Sequence, residues 1–143
     1  MLDFLYSRQT FVLQRRINCA FPRVERVLNS ANPLGVELLE LPATEPFEVV
    51  TTWPHHSWRT SGRLRACEGR RVARVELEFG PWSDDATELL LRPASRHPER
   101  WSGRRQRRYF AVAHAAADDL AAQLEARARL MLMPTTSLLE PVS

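Results

Sequence analysis

Two runs of alternating side chains, Trp58 to Cys67 and Arg70 to Phe79, meet at Glu68-Gly69, and no other pattern in the chain restricts its fold as tightly. Glycine accepts the positive φ that a tight hairpin turn demands. With Glu68 and Gly69 as the two turn residues, Cys67 faces Arg70 and opposed residue numbers sum to 137 along the pair. Leu64 then meets Ala73, Gly62 meets Val75, Thr60 meets Leu77 and Trp58 meets Phe79 on one face, while the other face pairs Arg59 with Glu78. A slip of one residue would turn the whole apolar set to solvent, so alternation and turn length specify one register together.

The remaining elements follow from the same periodicities. Phe11, Leu13, Arg15, Ile17 and Cys19 alternate with Val12, Gln14, Arg16 and Asn18, the period of a strand with one wetter face. Pro22 suits the first turn of a short helix, with Val24, Val27 and Leu28 at helical spacing before Asn32-Pro33 ends it. A strand is expected within Gly35 to Leu41, and Phe47 to Trp53 alternates as another, closed by Trp53-Pro54-His55-His56. Gly80-Pro81-Trp82-Ser83-Asp84-Asp85 reads as a turn and Thr87 to Arg92 as the last strand. From Ser102 to Met133 the reading is helix, with Phe110, Ala113, Ala117, Leu120, Leu124, Ala128 and Met131 in one stripe and Pro134 as the stop. A chain of 143 residues has room for one domain, here 1–133, with 134–143 as a loose tail.

This order of strand, short helix, antiparallel strands and long C-terminal helix resembles the SRPBCC or START-like superfamily, which includes polyketide cyclase-like members. Ile17-Asn-Cys-Ala-Phe-Pro-Arg-Val-Glu-Arg-Val-Leu28 is similar to that family's opening strand, Pro-containing turn and first helix. Thr87-Glu-Leu-Leu-Leu-Arg-Pro93 and Arg108-Tyr-Phe-Ala-Val-Ala-His114 are similar to its final strand and long helix. The resemblance spans residues 10 to 132 and implies an α+β helix-grip fold, a curved antiparallel sheet wrapped around the long helix. It also implies a pocket for an apolar or amphipathic ligand, although fold alone does not confer function.

The charge is uneven. All 20 basic residues are arginine and the net charge is +3, but Arg92 to Arg108 holds seven arginines against Glu99 alone, a local +6 that leaves −3 elsewhere. Glu37, Glu40, Glu45 and Glu48 form the opposite pole. No apolar run approaches the roughly 18 residues of a spanning helix. The early Asp3 interrupts any secretory core, so the cytoplasm is the expected location. Cys19 and Cys67 lack metal or redox spacing and read as two small buried hydrophobes. No metal set, glycine-rich phosphate loop or nucleophile elbow occurs, and no cofactor is expected.

The leading expectation is a protein that binds a small apolar or amphipathic molecule between sheet and long helix. Arg15 falls on the apolar face of its strand, where an unpaired charge is costly, and so offers an anchor for an anionic or carbonyl group, or else pairs with a carboxylate. Trp53, Trp58, Phe79 and Phe110 supply aromatic wall. His55 sits at the expected mouth, and His114 lies one turn before Asp118. In a cyclase- or aromatase-like enzyme, Arg15, Thr51, His55 and Thr60 would orient a carbonyl chain and move protons. In an interaction module, Arg92 to Arg108, interleaved with Trp101, would dock an acidic partner or nucleic acid.

Overall fold

The hairpin holds its expected register by an unexpected route. The computed structural model describes residues 11–30, 36, 38–41, 48–52 and 55–131, with the backbone alone for 48–52 and 55–56. Strands β4 (His55–Arg65) and β5 (Arg71–Ser83) pair Trp58 with Phe79, Thr60 with Leu77, Gly62 with Val75 and Leu64 with Ala73. The turn between them is longer than two residues. The Ala66 N–H donates to the Arg70 carbonyl (2.9 Å) and the Gly69 N–H to the Ala66 carbonyl (2.8 Å), enclosing Cys67, Glu68 and Gly69. Gly69 takes the left-handed conformation (φ +82°) that closes such a three-residue loop. Arg65 then pairs with Arg71, one step out of register, and Val72 is the extra residue whose bulge restores the pairing at Leu64. Cys67 consequently stands exposed in the loop, and only Cys19 is buried as expected.

Among the described residues six antiparallel strands form one curled sheet. Its order is β1 (Leu13–Ile17), β6 (Ala86–Pro93), β5, β4. The far edge of β4 is shared by β2 (Leu39–Glu40) and β3 (Glu48–Thr52). The segment Gly80 to Ser83, expected as a turn, continues β5, and Asp84-Asp85 turns instead. Pro81 is accommodated because the β5–β6 register shifts beside it, and bulges are where a strand tolerates proline. At Gly62 the neighbouring strand comes so close that a Cβ would lie 3.1 Å from the Glu40 carbonyl oxygen and from both Leu39 Cδ1 and Leu41 Cδ2. Gly62→Ala is therefore expected to push β2 off the edge and cost about 1–3 kcal/mol, measured by urea unfolding.

Helix α1 (Phe21–Leu28) turns Phe21, Val24, Val27 and Leu28 inward. Helix α2 (Gly103–Leu130) starts at Ser102, whose hydroxyl accepts the Arg105 N–H (3.2 Å). Its buried stripe is Tyr109, Ala113, Ala116, Ala117, Leu120, Leu124 and Ala128. The expected stripe had Phe110 and Met131 at its ends, yet Phe110 is half-buried and Met131 is 45% exposed. The cause is geometric: a 3.5-residue repeat drifts by about 20° per heptad on a straight helix, so the two ends rotate off the seam. Tyr109 fills the place expected for Phe110 and donates its hydroxyl to the Phe11 carbonyl (2.9 Å), among Phe11, Trp101 and Phe110. The architecture is α+β in a helix-grip arrangement, with the core between the sheet's concave face and α2.

Candidate functional site

The side chains expected to line a ligand pocket divide into two groups. On the β1 side, Arg15 lies between inward-facing Leu13 and Ile17, and its guanidinium is already engaged. Nε donates to Asp118 Oδ1, Nη1 to the Gln14 carbonyl (2.9 Å), and Nη2 lies 2.9 Å from His114 Nδ1. A guanidinium can only donate, so His114 accepts through Nδ1. Arg15 thus ties β1 to α2 through the carboxylate alternative, and half-buried Phe110 packs beside it on Phe11 (centroids 5.0 Å apart). Trp58, Thr60 and Phe79 stand on β4 and β5. Three strand spacings, roughly 14 Å, separate β4 from β1. The Trp58 indole N–H donates to Glu25 Oε2 on α1 (2.7 Å), Thr60 is half-buried, and Phe79 is sealed in the core. Trp53 lies outside the described residues, and Thr51 and His55 belong to segments of which the backbone alone is described.

The seam between these groups is filled. Val75, Leu77, Phe79, Leu89 and Leu91 from the sheet and Ala113, Ala117, Leu120 and Leu124 from α2 are each no more than 1% exposed. A side chain with no accessible surface borders no water-sized space, so this part of the helix-sheet contact is packed side chain against side chain.

The outer face of the β4–β5 hairpin carries the contrast that matters. At one end charges cancel: Arg59 pairs with Glu78 (2.8 Å), and Arg92 with Glu76 (3.3 Å) and Glu78 (3.5 Å). Toward the loop they cancel only at Arg65. Arg63 stands directly opposite Arg74, and Arg65 opposite Arg71. Arg65 reaches Glu40 (2.9 Å), and this hydrogen bond, with the charges of Arg65, Arg63 and Arg71, holds the Glu40 carboxyl below the usual range.

The first turns of α2 bring more guanidinium groups to the same end. Two surface grooves adjoin there, of about 450 and 390 Å³. Arg70, Arg71, Val72, Ser102, Arg104, Arg105 and Arg108 line the larger; Arg63, Arg71, Val72, Ala73, Arg74 and Arg105 line the smaller. Seven arginines therefore converge from β4, the hairpin loop, β5 and α2. Arg108 pairs with Glu68 on the hairpin loop, and Arg105 lies over the Trp101 ring at 4.3 Å. Among the described residues no carboxylate pairs with Arg63, Arg70, Arg71, Arg74, Arg104 or Arg105.

This surface differs from the contiguous strip expected at Arg92 to Arg108. Arg92 is neutralised by two glutamates, and Arg96, Arg100 and Arg107 are exposed outside both grooves. Arg104, Arg105 and Arg108 remain, joined by four arginines more than 29 positions earlier in the chain. For Arg63 and Arg74 the signal was present in the hairpin register, which already places them opposite each other, whereas the two-residue turn set Arg71 against Ala66 and so hid it. Among the described residues no helix is long and apolar enough to cross a membrane. No protein-family model, no curated protein and no solved structure matches the chain.

Proposed function

We propose that the protein is a polyanion-binding module whose binding surface is the pair of arginine-lined grooves at the loop end of the hairpin and the start of α2. The observation that carries this reading is the uncompensated cluster itself. Like charges placed directly across a β-ladder are destabilising, and Arg63–Arg74 is an outward rung of that kind, whereas at the next rung, Arg65–Arg71, Glu40 pairs with Arg65 and leaves Arg71 without a carboxylate of its own. The same face shows at Arg59–Glu78–Arg92 how glutamates neutralise such a ladder. An anion supplied from outside would offset the repulsion, and guanidinium forks suit phosphate, sulfate or carboxylate oxygens. We place the function on the outside because the described seam between sheet and α2, where the family resemblance implies a small apolar ligand, is occupied by the protein's own side chains.

Heparin, a dense polyanion, tests the reading. The double variant Arg71→Glu/Arg105→Glu is expected to bind heparin at 0.1 M salt about 100-fold more weakly, roughly tenfold for each charge-assisted hydrogen bond removed. The control Arg26→Glu/Arg96→Glu changes the net charge equally at exposed positions outside the grooves and is expected to stay within a few-fold of wild type. Equal losses in both variants would show that heparin reads only the overall charge and would sink the assignment.

A further inference from the structure

We infer that the partner of this surface is the phosphodiester backbone of a nucleic acid, held without regard to base sequence; this rests on the polyanion reading above and adds the class of partner. Three features of the grooves select it over an acidic protein or a small anion.

The first is what the walls lack. Protein partners draw most of their affinity from aromatic and aliphatic anchors desolvated at the centre of an interface. Among the described residues the apolar wall is Val72, 8% exposed, and half-buried Ala73, and the other lining side chains are guanidinium groups and Ser102. A phosphodiester chain needs no apolar anchor, since its binding is driven by release of condensed counterions as phosphates are neutralised. Interfaces with nucleic acid are correspondingly more polar and more positive than those between proteins.

The second is continuity. Arg71, Val72 and Arg105 line both grooves, so the cations form one track from Arg104 and Arg108 on α2 across to the Arg63–Arg74 rung. A single small anion would use one groove and leave the other repulsive. A chain with a charge at every repeat occupies both.

The third is the scarcity of acceptors. Among the described residues no Asp, Glu, Asn or Gln lines either groove, Glu68 is held by Arg108, and the Ser102 hydroxyl accepts the Arg105 N–H as the helix cap. Exocyclic amines of adenine and cytosine are read by such acceptors, so of the base edges only those that accept, chiefly guanine, suit these guanidinium groups, whereas every phosphate suits them, and phosphate contacts position a strand without specifying its sequence.

The test is fluorescence anisotropy on the full chain with a labelled 20-nucleotide single strand of mixed sequence, a shuffled version, the corresponding duplex and a 20-residue polyglutamate, each titrated from 0.05 to 0.2 M salt. The expected result is binding of single strand or duplex, agreement within about twofold between original and shuffled sequences, and much weaker binding of polyglutamate. If four to seven phosphates are neutralised, log K for the single strand falls against log salt with a slope of about −3 to −5, and Arg71→Gln or Arg105→Gln each reduces it by about 0.7. Arg26→Gln leaves the slope unchanged. Polyglutamate bound as tightly as the oligonucleotides would overturn the nucleic-acid inference and leave the polyanion reading intact. A preference of tenfold or more for one sequence would overturn sequence-independence. Failure of every probe, heparin included, would remove the polyanion reading itself.

Discussion

Replacing Tyr109 by alanine is expected to lower the unfolding free energy by about 3–5 kcal/mol, and by phenylalanine about 1–3 kcal/mol. The alanine figure reflects a fully buried ring among Phe11, Trp101 and Phe110, where the facing elements, β1 and α2, cannot collapse into the space without breaking their own packing. The phenylalanine figure is the cost of leaving the buried Phe11 carbonyl without its donor. The hydroxyl also predicts an alkaline signature. Burial pushes the Tyr109 phenol well above its ordinary value of 10.0. Below that value the phenol is protonated in both states and stability does not depend on it. Above it the unfolded chain releases the proton while the folded protein retains it, so stability falls as pH rises, by about 1.4 kcal/mol per pH unit. Tyr109→Phe lacks this contribution. Urea unfolding followed by circular dichroism at pH 8, 10 and 11 checks both statements: the difference between wild type and Tyr109→Phe is expected to narrow with pH, and a constant difference would show that the phenol titrates normally.

Tyr109 also marks where sequence reasoning runs out. The inward stripe of α2 was legible because small and apolar residues recur at three- and four-residue steps, and at its centre, from Ala113 to Ala128, it is the stripe observed. Its ends were not, since a fixed repeat cannot report the accumulated drift of a helix against a sheet, and the error there is one position, Phe110 for Tyr109. The hairpin behaves in the complementary way. Alternation from Trp58 to Leu64 determines the register so firmly that a wrong turn length does no harm, because the bulge at Val72 compensates for the extra loop residue. The charged surface was only half legible. A local count of arginines finds Arg104, Arg105 and Arg108, but sequence proximity does not see neutralisation from another strand, and Glu76 and Glu78 remove Arg92 from the set. Conversely, Arg63 and Arg74 are distant in the chain and adjacent in space, and pairing the outward residues of the predicted register would have revealed them. Arg15 stands out in the sequence as a charge on an apolar face, and its partner, Asp118, depends on how α2 lies along β1, which no local pattern encodes.

If the arginine cluster is retained for binding at the expense of the fold, one substitution should move stability and affinity in opposite directions. Arg74→Glu converts the Arg63–Arg74 rung from repulsion to attraction and places a carboxylate on the strand that carries Arg71. Unlike and like pairs across a ladder each differ from neutral ones by about 0.2–1 kcal/mol, so the variant is expected to be more stable than wild type by about 0.5–2 kcal/mol in dilute salt. The gain should shrink as salt screens the exposed pair. Affinity for a polyanion should fall at least tenfold, since one guanidinium is removed and an anion stands in the track. Adding heparin should then raise the melting temperature of wild type while leaving that of Arg74→Glu nearly unmoved, because only a ligand that binds the folded state shifts its unfolding. An ordinary surface arginine would give neither result. A variant that loses stability would mean that Arg74 holds the hairpin together, and one that gains stability while binding heparin as wild type does would mean that the partner meets the protein elsewhere. The predicted crossing, a firmer fold with a weaker grip, arises only if the repulsion between these arginines is what an external anion relieves.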